Sequence, residues 1–287
     1  YSLRPEVKKG YDDAESYINE KKDNFTHIQE WIDEMRAGKL RDTTIETGKG
    51  VKITGFYAYA DSVSNKSALL IHGYSDNHWR MAEYGYMFQR ELGYNVFIPD
   101  HFYHGVSGGD HIRMGWLDRL DMIRWMDVMK DLFGEDTQNV VQGVSMGGAT
   151  TMMISGEKLP SNVKCFMEDS GYTSVWDQFK KELKEGFGLP AFPLLTITSA
   201  VCKIQFGWSF KEASALKQVA KCNLPMLFIH GDADGFVLTS NVYPLYEAKP
   251  EPKELWIVPD TRHVRAYINY PEEYTRRVKE FTEKYVK

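Results

Sequence analysis

Two segments of the sequence place a serine between glycines in the pattern G-x-S-x-G, at 105–109 and at 143–147. A serine hydroxyl attacks an acyl carbon when a sharp turn exposes it and a base lies beside it. Such a turn follows a strand and precedes a helix, and glycines make room for it. Ser145 follows the apolar run 139–144 and precedes a helix-forming run, whereas Ser107 is followed by a Gly-Gly-Asp loop. We therefore predict that Ser145 is a nucleophile and that 105–109 is a glycine-rich turn.

A nucleophilic serine needs a histidine as base and a carboxylate that orients the histidine. After a strand–serine–helix turn, the chain order is serine, then acid, then histidine. His263 is the one histidine after the last predicted strand, on a loop that can reach over the sheet edge. His230 also follows Ser145, but it lies at a strand end inside a His-Gly pair, where a structural hydrogen bond is the commoner role. We predict that His263 is the base.

Three aspartates are candidates for the acid. Asp169 ends one predicted strand, and Asp232 and Asp234 follow the next one. With these residues in view, the sequence resembles the α/β-hydrolase superfamily, and most of all a branch of bacterial serine hydrolases whose acid loop reads H-G-x-x-D-x-x-V. The segment 230–237 reads H-G-D-A-D-G-F-V. The resemblance implies that Asp234 is the acid, and that Asp232 and Asp169 are loop-capping carboxylates.

Further segments extend the resemblance over roughly residues 50–285. The H-G-Y at 72–74 matches the oxyanion motif of the superfamily, and 99–107 and 115–121 resemble its P-D-x-x-G-H-G-x-S and G-W-x-x-R-x-D segments. Acyl transfer needs N–H donors aimed at the developing oxyanion. The resemblance implies that these are the backbone N–H groups of Tyr74 and Met146.

The sequence departs from the pattern of the superfamily at two places. Tyr103 stands where glycine is usual, and Thr261 and Arg262 stand where glycine and a small residue usually precede the histidine. Arg262, with Arg265 nearby, could disfavour the protonated base or bind a substrate carboxylate, or both arginines could point to solvent. These departures bear on the substrate rather than on the three catalytic candidates.

Short apolar runs alternate with helix-length segments from residue 43 onward, which is typical of an α/β domain with a mainly parallel sheet. Several runs are almost continuously apolar, as strands covered on both faces are. We expect the first two runs to form a hairpin, and we predict an N-terminal helical extension at 1–42 and an α/β-hydrolase domain at 43–287. The runs are 51–59, 67–72, 94–98, 139–144, 163–168, 225–230 and 254–258, and the helical segments are 79–92, 115–133, 146–158, 174–186, 241–248 and 271–286.

The segment 177–222 separates two strands by more than an ordinary crossover, and it is too apolar to be a flexible linker. We predict that it forms a helical cap over the carboxyl edge of the sheet. Its apolar residues then line a substrate pocket, for which the candidates are Phe187, Phe192, Leu195, Phe206 and Trp208.

The segment 11–37 is predicted to be a helix packed on this domain, with a partner-binding arm as the alternative. Its apolar residues recur at helical spacing, and they are Tyr17, Ile18, Phe25, Ile28, Trp31, Ile32 and Met35. Because the sequence starts at Tyr1, we expect that an export signal or membrane anchor was removed, which implies an extracytoplasmic protein. An arbitrary boundary and a cytoplasmic protein are the alternative. No segment is typical of a membrane span.

The chain has 287 residues, 35 Lys and Arg against 40 Asp and Glu, and a net charge of −5, which argues against a general nucleic-acid binder. Its three cysteines, Cys165, Cys202 and Cys222, do not form a disulfide framework or a zinc pattern, although a Cys202–Cys222 bridge stays possible. The histidines and aspartates at 100–111 lack the spacing of a known zinc motif. We expect no metal and no cofactor.

These residues predict a serine hydrolase, and the apolar insert favours a carboxylic ester with a hydrophobic acyl or aryl group. A peptidase, amidase or thioesterase of the same fold is the first alternative. Acidic side chains that face the pocket would favour a peptide amino end, and Glu182, Glu185 and Glu212 are candidates. A non-catalytic ligand-binding protein is the alternative from another class.

Overall fold

An eight-stranded sheet forms the centre of the computed structural model, which describes residues 3–4, 25–48 and 50–287. The strands lie in the order β1-β2-β4-β3-β5-β6-β7-β8. The β1–β2 and β2–β4 pairs are antiparallel, and the other pairs are parallel. The predicted α/β class is therefore confirmed. The strands are β1 Arg41–Glu46, β2 Lys52–Ala58, β3 Lys66–Ile71, β4 Asn95–Pro99, β5 Gln138–Val144, β6 Val163–Asp169, β7 Met226–Gly231 and β8 Lys253–Val258.

Helices cover both faces of the sheet. On β3, Leu69 and Ile71 face one hydrophobic cluster, and Ala68 and Leu70 face the other. This two-sided burial explains the continuous apolar runs. The helices are α1 Thr26–Glu34, α2 Ala82–Tyr86, α3 Asp118–Phe133, α4 Met146–Ser155, α5 Val175–Phe187, α6 Leu194–Phe206, α7 Ala215–Val219, α8 Val242–Ala248, α9 Ala266–Asn269 and α10 Pro271–Thr282, with wider helical turns at Met35–Lys39 and Met87–Glu91 and narrower ones at His78–Met81 and Thr239–Asn241.

The expected hairpin between the first two apolar runs is wrong. β2 pairs with β1 and β4, and β3 lies on the far side of β4. Two strands explain the error. β1 was missed because it lies at the edge of the sheet, where its residues are exposed or half-buried and carry no apolar run. β3 is buried and parallel to both of its neighbours, so it cannot close a hairpin with β2.

The described part of the predicted N-terminal helix packs on the sheet. Ile28, Trp31 and Ile32 of α1 are buried in the same cluster as the β3 and β4 side chains. The helical geometry ends where Gly38 adopts φ 115°. The predicted stretch 11–24, with Tyr17 and Ile18, lies outside the described residues.

Between β6 and β7 the chain forms α5, α6 and α7. Helix α7 contacts α4, the helix that follows β5. Helix α6 keeps an apolar stripe exposed, with Ile204 at 87% exposure. Within the described ranges, Cys165, Cys202 and Cys222 are free and buried thiols, and no helix is both long and apolar enough to span a bilayer.

Candidate active site

Ser145 lies on the turn between β5 and α4. Strand β5 ends at Val144 and helix α4 begins at Met146. Its backbone has φ 55° and ψ −118°, a conformation that non-glycine residues rarely adopt and that is concentrated at functional sites. A Cβ on Gly143 would lie 2.2 Å from the Gly147 carbonyl oxygen, and a Cβ on Gly147 would lie 2.0 Å from the Ile71 carbonyl oxygen. Both flanking positions therefore require glycine.

The tight packing around Gly147 predicts that a larger residue at this position lowers the stability of the fold. We expect Gly147→Ala to lower the free energy of unfolding by about 3 kcal/mol or more, because the added methyl overlaps backbone that cannot move away. Urea unfolding followed by circular dichroism measures the change. Gly186→Ala is the matched control, because nothing lies within 4 Å of its added Cβ, and a helical glycine gains stability as alanine. Equal midpoints for the two variants would contradict the prediction.

The structure brings three of the predicted residues together. His263 Nε2 lies 2.8 Å from Ser145 Oγ, and His263 Nδ1 lies 2.7 Å from Asp234 Oδ2. The second carboxylate oxygen of Asp234 accepts hydrogen bonds from the backbone N–H groups of Phe236 and Val237, each at 2.9 Å. Ser145, Asp234 and His263 lie on three loops that follow β5, β7 and β8. They meet because parallel strands bring their carboxyl ends to one edge of the sheet.

The environment of Asp234 favours its ionised form. Burial opposes the charge, but hydrogen bonds from His230 and His263 outweigh it and hold the pKa of Asp234 well below its ordinary value. The carboxylate is therefore available to orient an imidazole and to stabilise an imidazolium. The side chain of His263 stays 21% exposed, so a substrate could approach it from solvent.

The two other aspartate candidates have different contacts. Asp169 lies at the end of β6, where its carboxylate accepts hydrogen bonds from Ser170 Oγ and Tyr274 Oη. Burial raises the pKa of Asp169 to about 6, and its carbonyl oxygen accepts the N–H of Ser145. Asp232 is exposed, and its Oδ1 lies 3.4 Å from the N–H of Thr261. The hydrogen bonds of these two carboxylates are therefore to groups other than Ser145 Oγ and His263.

The His72–Gly73–Tyr74 loop lies against the serine. A Cβ on Gly73 would be 3.4 Å from Ser145 Cβ, and Met146 is the first residue of α4. His72 braces this loop, because its Nδ1 lies 2.8 Å from the Gly73 carbonyl oxygen and its Nε2 accepts the N–H of His101. Burial lowers the pKa of His72 well below its usual range, so the ring is neutral. Gly73, the residue before Tyr74, and Met146 thus both lie next to Ser145.

Ser107, the serine of the other G-x-S-x-G segment, forms hydrogen bonds with the backbone. Ser107 is buried, its hydroxyl donates to the Asp100 carbonyl oxygen at 2.8 Å, and it accepts the N–H of Thr54 at 2.8 Å. Asp100 also accepts backbone N–H groups from His78 and Val106. The side chains of Asp100 and Ser107 therefore hold the backbone of neighbouring segments. In the described ranges, no group of three or more potential ligands is placed to hold a metal ion.

A cavity of about 550 Å³ lies between α5 and α6. Of the predicted pocket residues, Phe187, Leu195 and Phe206 line it. Phe192 and Trp208 do not line it, and the burial of Trp208 corrects the prediction for that residue. Phe192 is 75% exposed, and Trp208 is buried in the core, with its ring 5.8 Å from that of Phe210. Hydrophobicity predicted that Trp208 would be buried, but not which surface would bury it.

Helix α5 connects this cavity to the candidate catalytic residues. Gln178 donates to the Phe236 carbonyl oxygen at 3.1 Å, and Lys181 donates to the Gly235 carbonyl oxygen at 2.9 Å. The ring of Phe236 lies 5.0 Å from that of His263, and Glu182, one turn along from Gln178, lines the cavity. Sequence reasoning missed Phe236, although the acid-loop motif contains it.

The acidic and basic candidates for substrate recognition are exposed or paired. Glu182 and Glu185 both pair with Lys181, and Glu212 pairs with Lys203 at 2.7 Å. Arg262 and Arg265 are exposed. The three carboxylates are therefore partly neutralised by neighbouring lysines.

Comparisons with known proteins agree with this fold. A family model described as alpha/beta hydrolase fold matches residues 69–189, which include the serine turn. The esterase Pf2001 of Pyrococcus furiosus superposes with a TM-score of 0.71 at 27% sequence identity, over 88% of this chain and 96% of that chain.

The chain has the α/β-hydrolase fold.

Two further comparisons concern a sequence relative and a solved structure that share similarity with this chain. The uncharacterized protein YqkD of Bacillus subtilis is 27% identical over 267 residues, which is 93% of this chain and 86% of that protein. The acylaminoacyl peptidase of Pyrococcus horikoshii superposes with a TM-score of 0.62 at 16% identity, over 85% of this chain and 40% of that chain. At that identity the peptidase supports the fold alone. The likeness to the esterase Pf2001, together with the family match, supports a hydrolase.

Proposed function

We propose that this protein is a serine hydrolase that cleaves carboxylic esters with a hydrophobic acyl or aryl group. The observation that carries the proposal is the unbroken hydrogen-bonded series from Ser145 Oγ through His263 to Asp234, with distances of 2.8 and 2.7 Å. A nucleophile, a base and an orienting acid in this order are the requirements of acyl transfer through a covalent intermediate. The likeness to an esterase at 27% identity supports the same class.

In the proposed reaction, His263 takes the proton of Ser145 as Oγ attacks the carbonyl carbon. Asp234 holds Nδ1 of the imidazole and stabilises the imidazolium. The backbone N–H groups of Tyr74 and Met146 bind the tetrahedral oxyanion, and donors of this kind are each worth about two to three orders of magnitude in rate. His263 then protonates the departing alcohol. A water molecule, deprotonated by His263, then attacks the acyl carbon. His263 returns the proton to Ser145 Oγ as the bond from Oγ to the acyl carbon breaks and the acid departs, and no cofactor is needed.

The rate of hydrolysis of p-nitrophenyl esters of short, medium and long acyl chains tests the proposal, with Ser145→Ala beside the wild type. We expect turnover that depends on Ser145. If the folded wild type hydrolyses no ester but cleaves aminoacyl or peptide substrates, the peptidase alternative replaces this one. The pairing of Glu182, Glu185 and Glu212 with lysines favours the ester.

A fluorophosphonate probe, which labels activated serines, distinguishes an enzyme from a non-catalytic binding protein. We expect labelling of the wild type that is lost in Ser145→Ala. A folded wild type that neither reacts with the probe nor turns over any substrate would favour the binding protein.

The cavity between α5 and α6 is proposed as the subsite for the acyl or aryl group. Thr198 lines this cavity, whereas its neighbour Ile197 does not and is 58% exposed. We expect Thr198→Trp to fill the cavity and to raise KM at least about tenfold for the longest ester, the loss of roughly two buried methylene groups. The shortest ester should be unaffected.

Ile197→Trp is the matched control, because it adds the same indole on the solvent side of α6. We expect its KM values to match those of the wild type at every chain length. If Thr198→Trp leaves the chain-length profile unchanged, the acyl group binds elsewhere.

A further inference from the structure

A second imidazole contacts the acid of the proposed triad. His230 is the penultimate residue of β7 and is fully buried. Its Nε2 lies 2.9 Å from the Val237 carbonyl oxygen and 3.3 Å from Asp234 Oδ2. A carbonyl oxygen only accepts hydrogen bonds, so Nε2 of His230 carries a hydrogen. The same N–H is therefore directed at the acid loop and lies beside the acid itself.

These contacts restrain both oxygens of Asp234. Oδ1 is held by the N–H groups of Phe236 and Val237, and His230 holds the carbonyl group of Val237. Oδ2 lies between two imidazoles, those of His263 at 2.7 Å and His230 at 3.3 Å. A change at His230 therefore acts on the orientation of the carboxylate that His263 depends on.

A buried carboxyl group, that of Glu168, also interacts electrostatically with His230. Neither His230 Nδ1 nor Glu168 Oε1 has a hydrogen-bond partner within the described part of the chain. Burial opposes a charge on the ring, but Asp234 and Glu168 together raise the pKa of His230. Burial also raises the pKa of Glu168, to about 8, and that of Asp169, whose charge also interacts with His230. The carboxyl groups of Asp234 and Glu168 and the carbonyl group of Val237 thus favour the cation of His230.

We propose that His230 is a positioning residue of the active site. Its Nε2–H fixes the acid loop and Asp234 Oδ2, and its positive charge weakens the attraction of Asp234 for the proton on His263. The inference rests on the proposed function, because it assigns a role in the same ester hydrolysis. The role goes beyond the structural hydrogen bond expected of a histidine in a His-Gly pair, since it includes an effect on the protonation of the base.

Two substitutions separate the hydrogen bond from the charge. His230→Gln keeps an N–H donor at nearly the position of Nε2 but carries no charge. His230→Phe fills the same space with neither donor nor charge. The measurement is kcat/KM for one p-nitrophenyl ester between pH 5 and 9, together with the rate at which a fluorophosphonate labels Ser145. The acid limb of such a profile reports the protonation of the base in the free enzyme.

We expect His230→Gln to keep the plateau rate within about threefold, and His230→Phe to lose about a hundredfold, the effect of misplacing a catalytic group by about 1 Å. Both variants should move the acid limb upward by about half a pH unit or more, because a positive charge near His263 is lost. An unmoved limb in His230→Gln would overturn the inference, and that variant suffices even if His230→Phe does not fold. Equal plateau losses in the two variants would also overturn it, since the donor would then have no role.

The same experiment separates this inference from the proposed function. If the wild type neither hydrolyses the ester nor reacts with the fluorophosphonate, the proposed function fails. If the wild type does both and the His230 variants have its plateau rates and its acid limb, only the inference fails.

Discussion

Ser145→Ala is expected to lower ester turnover by roughly four to six orders of magnitude, while the protein stays folded. Alanine keeps the Cβ that the turn already accommodates, so the β5–Ser145–α4 geometry needs no change. What is lost is Oγ, which lies 2.8 Å from His263 Nε2 and is the one protein atom of the proposed mechanism that bonds to substrate carbon. The measurement is kcat on p-nitrophenyl esters, with circular dichroism as the check on folding.

Ser107→Ala is the control, because Ser107 occupies the other G-x-S-x-G sequence. It should leave kcat close to the wild-type value and lower stability. The substitution removes the hydroxyl that accepts the Thr54 N–H and donates to the Asp100 carbonyl oxygen, and an unsatisfied buried donor costs about 1–3 kcal/mol. The two serines would then separate activity from stability. Wild-type turnover in folded Ser145→Ala would contradict the assignment of the nucleophile.

The sequence predicted the parts of the fold that burial imposes on consecutive residues. β3, β5 and β7 are covered on both faces, so their composition alone marks them as strands. β1 has no such signal, because an edge strand with exposed side chains needs no apolar run. The order of the strands was also beyond the sequence, since the position of β4 between β2 and β3 depends on pairings that local patterns do not encode.

In the candidate site, too, residues with a local sequence signal could be predicted and residues without one could not. Ser145 and Asp234 could be predicted because each lies in a short motif after a strand, and His263 because it is the one histidine after the last predicted strand. Parallel strands bring those strand ends together. Trp208 is apolar, a property that core and pocket residues share, so its residue type does not distinguish the two positions. The contact of His230 with Asp234 gave no distinct signal, because a histidine before glycine at a strand end reads as an ordinary structural residue.

Asp234→Asn is expected to lower kcat/KM about 10⁴-fold, because an amide can present N–H to His263 Nδ1 and stabilise the wrong tautomer of the ring. The carboxylate also carries the charge that balances the imidazolium, and hydrogen bonds from His230 and His263 hold the pKa of Asp234 far below its ordinary value. No such loss is expected of Asp232→Asn, because Asp232 is exposed and its contact is the N–H of Thr261 at 3.4 Å, which an amide oxygen can still accept.

Asp169→Asn completes the set of three aspartates and is the more demanding control, because Asp169 is as buried as a catalytic acid could be. Its carboxylate accepts hydrogen bonds from Ser170 and Tyr274, which the Oδ1 of an asparagine retains only in part. We therefore expect Asp169→Asn to lower the thermal midpoint while kcat/KM falls less than about tenfold, well below the 10⁴-fold expected for the acid that orients the base. Paired rate assays on one ester decide the order. A larger loss in Asp232→Asn than in Asp234→Asn would move the acid by two residues, and a larger loss in Asp169→Asn would move it to the end of β6.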